Sequence, residues 1–156
     1  MNRELSCVIV KPDGGGKSVV GKIIDRVEGE SFRLLAARMI RPKAGQLEAF
    51  YEEHRGKPFY EGLLRFITSG PIVVTAWEGE GVIRRVRALV GATNPKDAAL
   101  GTFRAQWGTD NRRNLIHASA SPVSGIRETA FFFSQEELAP YDPARWSRSE
   151  FAPPVS

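Results

Sequence analysis

Near the N-terminus, Ser6-Cys7-Val8-Ile9-Val10 constrains how this chain can fold more than any other stretch. The run is short, apolar and rich in branched side chains, and it reads as a central β-strand. A central strand needs neighbours on both edges, so the rest of the chain must supply a sheet around it. Lys11-Pro12-Asp13-Gly14 then breaks the run sharply.

The segments that follow alternate in period. Val20, Ile23, Ile24 and Val27 fall at helical spacing and predict a helix over 19–28. A strand is expected over 32–40, ended by Pro42, then a helix over 43–54 with Leu47, Phe50 and Tyr51 on one face. A shorter helix spans 59–68, Ser69-Gly70-Pro71 breaks it, and 72–77 reads as a third strand. Val82, Val86, Leu89 and Val90 predict a helix over 82–90 that also carries Arg84, Arg85 and Arg87. Residues 91–113 show little periodicity, and an irregular stretch of that length in a compact domain is usually functional. A fourth strand over 114–117 and a helix over 121–133 complete the pattern. This order is that of an α/β (α+β) chain with a ferredoxin-like split βαβ fold, a four-stranded antiparallel sheet covered by helices.

Composition narrows the function classes. With 42% hydrophobic residues over 156 positions, the chain suits one globular domain with a real core. The single cysteine, Cys7, forms no internal disulfide, and no apolar stretch reaches the roughly 18 residues of a membrane span. Residues 6–10 are too short for the apolar region of a signal peptide, so the expectation is a cytoplasmic protein with no membrane partner. Twenty-two Lys and Arg against 18 Asp and Glu suit a phosphate-rich small ligand or a nucleic acid. The second is disfavoured, because the first strand lacks the aromatics with which RNA-recognition motifs stack bases.

His117, one of only two histidines, stands where an apolar pair, Leu115-Ile116, gives way to the small residues Ala118, Ser119, Ala120 and Ser121. Ser121-Pro122 reads as a helix start, with the hydroxyl capping free amides and proline in the first turn. An imidazole at such a strand end, uncrowded and flanked by Arg112, Arg113 and Asn114, suits a nucleophile that forms a phosphohistidine. Gly16-Lys17-Ser18 imitates a phosphate-binding P-loop, but the first glycine of that motif is Lys11 here, whose side chain obstructs the tight turn. Lys11 itself ends the central strand and joins Arg87, Arg104 and Asn114 as a candidate phosphate and sugar ligand. Tyr51 offers a phenolic donor, and Phe59 a platform for a base.

Six blocks recur together: Val10-Lys11-Pro12-Asp13-Gly14, Lys57-Pro58-Phe59-Tyr60-Glu61-Gly62-Leu63, Ser69-Gly70-Pro71, Gly91-Ala92-Thr93-Asn94-Pro95, Gly101-Thr102-Phe103-Arg104, and Asn114-Leu115-Ile116-His117 followed by Ser119. In sequence and spacing they resemble the nucleoside diphosphate kinases over residues 4–138. The resemblance implies a ping-pong kinase in which His117 takes the γ-phosphoryl of ATP or another nucleoside triphosphate and passes it to a nucleoside diphosphate. It implies that Lys11, Tyr51, Arg87, Thr93 and Arg104 hold phosphates, that Lys11 and Asn114 bond the sugar, and that Phe59 stacks on the base. Glu128 and Ser119 would support the histidine, and magnesium would be held mainly by the nucleotide rather than by protein ligands. A homo-oligomer, tetramer or hexamer, is expected. The alternative is a catalytically impaired, nucleotide-binding regulatory member of the same family. The catalytic domain is expected over 1–139. A Pro-rich tail follows over 140–156, with Trp146 and Phe151, mobile in part or in subunit contacts.

Overall fold

The structure, a computed structural model, describes residues 4–148. Its centre is β1 (Leu5–Val10), every residue of which is buried. Three further strands, β2 (Arg33–Ile40), β3 (Ile72–Glu78) and β4 (Ile116–Ala118), complete an antiparallel sheet in the order β2-β3-β1-β4. This is the ferredoxin-like arrangement that the element order predicts.

Successive residues of β1 point to opposite faces. Val8 and Val10 pack with Ile23 and Val27 of α2 (Val20–Glu28) and Val86 of α5 (Val82–Val90). Cys7 and Ile9 pack on the other face against α3 (Ala44–Phe50), α4 (Tyr60–Ile67) and α7 (Pro122–Phe132) through Phe50, Ile67 and Phe132. Each fully buried aliphatic or aromatic side chain contributes about 1.5–3 kcal/mol. Truncating Ile9 to alanine, between the two layers, therefore costs about 2–5 kcal/mol once its cavity is included.

Four expectations change in detail. The helix expected over 43–54 ends at Phe50; Tyr51 leaves helical geometry at ψ 25°, and Glu52–His54 tighten into a 3-10 turn. The loop after β1 is itself helical, α1 (Pro12–Gly16), with Pro12 supplying a preset first turn. The irregular stretch 91–113 contains a 3-10 turn, Pro95–Asp97, and α6 (Phe103–Trp107), capped by Thr102 Oγ1 accepting from Ala105 N at 3.3 Å. Five residues make too little of a turn pattern for periodicity to register. Strand four starts at Ile116 rather than Asn114, because Leu115 adopts a left-handed backbone with φ 74°.

Within the expected tail, Tyr141 is bonded to β2 of the same chain. Tyr141 donates from its hydroxyl to Leu34 O at 2.6 Å, and Arg33 Nη1 donates to Tyr141 O at 2.5 Å. Trp146 meets the Tyr141 ring edge-on at 5.8 Å. Phe151, Pro153 and Pro154 lie outside the described residues. Among those described, no helix is long and apolar enough to cross a membrane.

Candidate active site

Pairing of Ile9 with His117 turns the imidazole to the face shared by Cys7 and Ile9, towards α3 and α7. The ring is not uncrowded, as the small residues after it suggest. Phe50 and Tyr51 meet it edge-on at 5.4 and 6.0 Å, and its side chain keeps 19% exposure. These walls come from the end of α3, far away in sequence.

The start of α7 forms as the sequence predicts, with Ser121 Oγ accepting from Ser124 N at 3.1 Å and Pro122 in the first turn. Gly125 then lets the helix lie against β1, since a Cβ there would sit 1.9 Å from Leu5 O. One turn further, on the same side of the helix, Glu128 is buried beneath the histidine. Its Oε1 lies 2.7 Å from His117 Nε2 and accepts from Ser119 Oγ at 2.8 Å, while Ser119 Oγ accepts from Cys7 N at 2.9 Å. Burial pushes the Glu128 carboxyl up, but the bond from His117, that residue's charge, the Ser119 hydroxyl and Arg127 outweigh it and hold the group below its ordinary value. A carboxylate accepts, so Nε2 is the nitrogen that carries hydrogen. Nδ1 is left with the ring's free lone pair.

The stretch before the histidine is clamped by charged groups. Asp13 Oδ2 accepts from Leu115 N at 2.9 Å and Lys11 N donates to Leu115 O at 2.7 Å, so both polar atoms of the left-handed residue are held. A non-glycine residue in that region costs about 1–3 kcal/mol and persists only where its surroundings fix it. Arg104 donates to three carbonyls, Asn114 at 3.2 Å, Gly91 at 3.0 Å and Ile116 at 2.7 Å. Asn114, also buried, accepts Lys11 Nζ at 2.8 Å and donates to Thr93 O and Asn111 O, both at 3.0 Å. Burial, then the Arg104 charge, lowers Lys11 to about 8 against some support from Asp13; burial, then Arg87, lowers Arg104 to about 10. Cations crowded until they weaken one another make a site that favours an anion.

These groups open on one cavity of about 920 Å³. Every residue that the sequence nominates lines it except Ser119, which stands behind Glu128. Arg87 and Thr93 are exposed on its wall, and Phe59, at the start of α4, keeps 46% exposure. The Tyr51 hydroxyl is buried there without a hydrogen-bond partner. Burial, then the charge of Glu128, pushes that phenol up, so it stays protonated and is available as a donor. His54, Leu63, Asn111 and Arg112 also line the cavity, yet sequence reading gave none of them a ligand role. Two signals were available: Arg112 flanks the histidine in sequence, and Leu63 falls four residues after Phe59 on a helix and so on the same face.

Fold and site define a phosphotransferase of ferredoxin-like architecture. Comparison with known proteins gives the particular family. The chain matches the family model for nucleoside diphosphate kinase over residues 4–138. It is 48% identical over 139 residues to the nucleoside diphosphate kinase of Carboxydothermus hydrogenoformans, covering 89% of this chain and 93% of that one. The Aquifex aeolicus enzyme superposes with a TM-score of 0.85 at 42% identity, covering 88% of this chain and 100% of that one. The Halobacterium salinarum enzyme, solved in complex with CDP, superposes with a TM-score of 0.86 at 39% identity, covering 92% and 97%. The chain belongs to the nucleoside diphosphate kinase family.

Proposed function

We propose that the protein moves the γ-phosphoryl group of a nucleoside triphosphate to a nucleoside diphosphate through a covalent phosphohistidine at His117. The Nδ1 lone pair attacks the γ-phosphorus, and the bond to the β,γ-bridging oxygen breaks, releasing a diphosphate. An incoming diphosphate then attacks with a terminal β-phosphate oxygen and the P–N bond breaks, returning the lone pair to Nδ1. The observation that carries this reading is the 2.7 Å contact between Nε2 and a carboxylate, which frees the other nitrogen and stabilises the imidazolium character of the phosphorylated ring.

Phosphoryl transfer asks mainly for positioning and dispersed positive charge. Lys11, Arg87 and Arg104 supply charge, and Tyr51 and Thr93 supply hydroxyl donors. Lys11 and Asn114 take the sugar hydroxyls, and Phe59 the base. Magnesium fits as an ion carried in on the phosphates. It favours oxygen ligands and keeps several waters. The cavity's cationic end suits phosphate. When bound, the ion neutralises charge on the transferred group.

Incubation with γ-labelled ATP and magnesium, without acceptor, should place an acid-labile label on His117 that a nucleoside diphosphate discharges. Label that persists in His117→Ala overturns the assignment. Nucleotide binding without any label would mark the impaired regulatory alternative. Family membership and Met39, 66% exposed on the edge strand β2, support assembly into a tetramer or hexamer, against which a monomeric mass by light scattering would count. The lone cysteine, free and buried, suits a reducing cytoplasm.

A further inference from the structure

The lining of the cavity also includes Arg112, whose guanidinium has no acidic partner among the described residues. Arg112 lies in the loop before β4, and its side chain rests against α4 at Gly62. A Cβ built there would stand 2.2 Å from Nη2 and 2.5 Å from Cζ, so the glycine makes room for the arginine. Gly62 falls three residues after Phe59 and Leu63 four, which places both on the side of α4 that Phe59 begins. Phe59, Leu63 and Arg112 all line the cavity, and Arg112 extends past it to Gly62, where the two line a second hollow with Arg65 and Phe66.

The loop that presents Arg112 is tied down by its neighbour. Asp110 Oδ1 accepts the backbone N–H of Arg112 at 3.0 Å and of Arg113 at 2.7 Å, while Oδ2 takes the Arg113 side chain at 2.9 and 2.6 Å. Arg113 therefore occupies the nearby carboxylate. Among the described residues, no hydrogen bond or ion pair engages the guanidinium of Arg112.

We infer that Arg112 reads the edge of a base stacked on Phe59 and gives the protein a preference for guanine over adenine nucleotides. This rests on the reading of the cavity as a nucleotide site. Stacking alone tolerates any base, because every base has a π face. A guanidinium is a fork of donors with no acceptor. Guanine answers it with two adjacent acceptors, O6 and N7, where adenine sets an amino donor beside N7. Arg112 is exposed, so the discrimination is modest, roughly three- to tenfold, at the low end for a bidentate base contact.

Calorimetric affinities for GDP, IDP and ADP test this with the wild type, Arg112→Ala and Arg112→Lys, beside the label-discharge assay. IDP keeps O6 and N7, so it should bind as GDP does, both roughly three- to tenfold tighter than ADP. The ratio should fall close to one in both variants, with lysine, a point charge without the fork, retaining more affinity for all three nucleotides. Equal binding of GDP and ADP by the wild type overturns the inference. So does a ratio that survives in Arg112→Ala, or a variant that weakens all nucleotides alike. Discrimination without any transfer would leave the Arg112 assignment standing and sink only the kinase reading; transfer without discrimination would do the reverse.

Discussion

The two ends of the cavity are built on opposite principles. At the histidine end, Glu128, Asn114 and Lys11 are buried, and each is committed to a protein partner before any ligand arrives. At the open end Phe59 and Arg112 stand exposed, as do Arg87 and Thr93 on the wall. The reacting end must hold atoms within a few tenths of an ångström, and fixed dipoles achieve that without reorganising during reaction. The recognising end has only to offer a surface and a charge. The contrast teaches that the same residue type has different duties when buried and when exposed, and the arginines show it most directly.

Arg104 and Arg87 are the sharpest pair. Arg104 holds three carbonyls around the active-site strand, whereas Arg87 is exposed on α5. The resemblance implies that both hold phosphates; Arg104 in addition braces the backbone around β4. Arg104→Ala should therefore cost stability, about 2–4 kcal/mol for charge-assisted bonds in a half-buried setting, and transfer roughly 10²–10³-fold as well. Arg87→Ala should lower transfer while leaving melting within about 0.5 kcal/mol. Melting curves and single-turnover labelling measured side by side would break the comparison if the two variants behaved alike.

Next in size is Phe59→Ala. Loss of a stacking platform should weaken nucleotide binding by about 1–3 kcal/mol without moving the melting temperature appreciably, since the ring is nearly half exposed. Binding by calorimetry reads this, and a large loss of stability would instead make Phe59 a core residue.

The smallest effect is a pH dependence in Lys11, which sits at about 8 in the folded protein against an ordinary value of 10.5. Its charge is present below that point and lost as pH rises through it. Nucleotide affinity should therefore weaken above about pH 8, and Lys11→Arg should push that decline to higher pH. Stability moves the other way. Between about 8 and 10.5 the unfolded chain binds the extra proton, so the burial penalty is relieved as pH rises and the fold gains stability across that window. Binding and melting titrated over the same range should show opposite slopes, and parallel slopes would remove Lys11 as the cause.

Much of this was legible in the chain. The run at Cys7 to Val10 announced the central strand, and Val82, Val86 and Val90 announced α5, because burial on one face writes itself into spacing. His117 was legible through the small residues after it and the Ser121-Pro122 cap. The left-handed turn at Leu115 was not, since a leucine gives no sign of positive φ and only Lys11 and Asp13, a hundred residues earlier, hold it there. Nor could sequence show that Arg104 would meet three carbonyls or that Arg112 would reach Gly62. Those contacts join segments that the sheet order brings together, and no local pattern encodes them.

The convergence of Gly91 O, Asn114 O and Ile116 O on one guanidinium draws together the two ends of the segment 92–113, which Lys17 also ties at Trp107 O and Thr109 Oγ1. To a protease the segment is a bag closed by a drawstring. Inside it lie Lys96, Arg104, Arg112 and Arg113, each followed by a bond that trypsin can cut, and Arg104→Ala removes one of the four. Cleavage of those bonds needs the segment to open locally, so it depends on how often these ties slacken more than on how stable the sheet is. A brief tryptic digest should leave the wild type and Arg87→Ala whole for far longer than Arg104→Ala, whose first fragments should end within the segment.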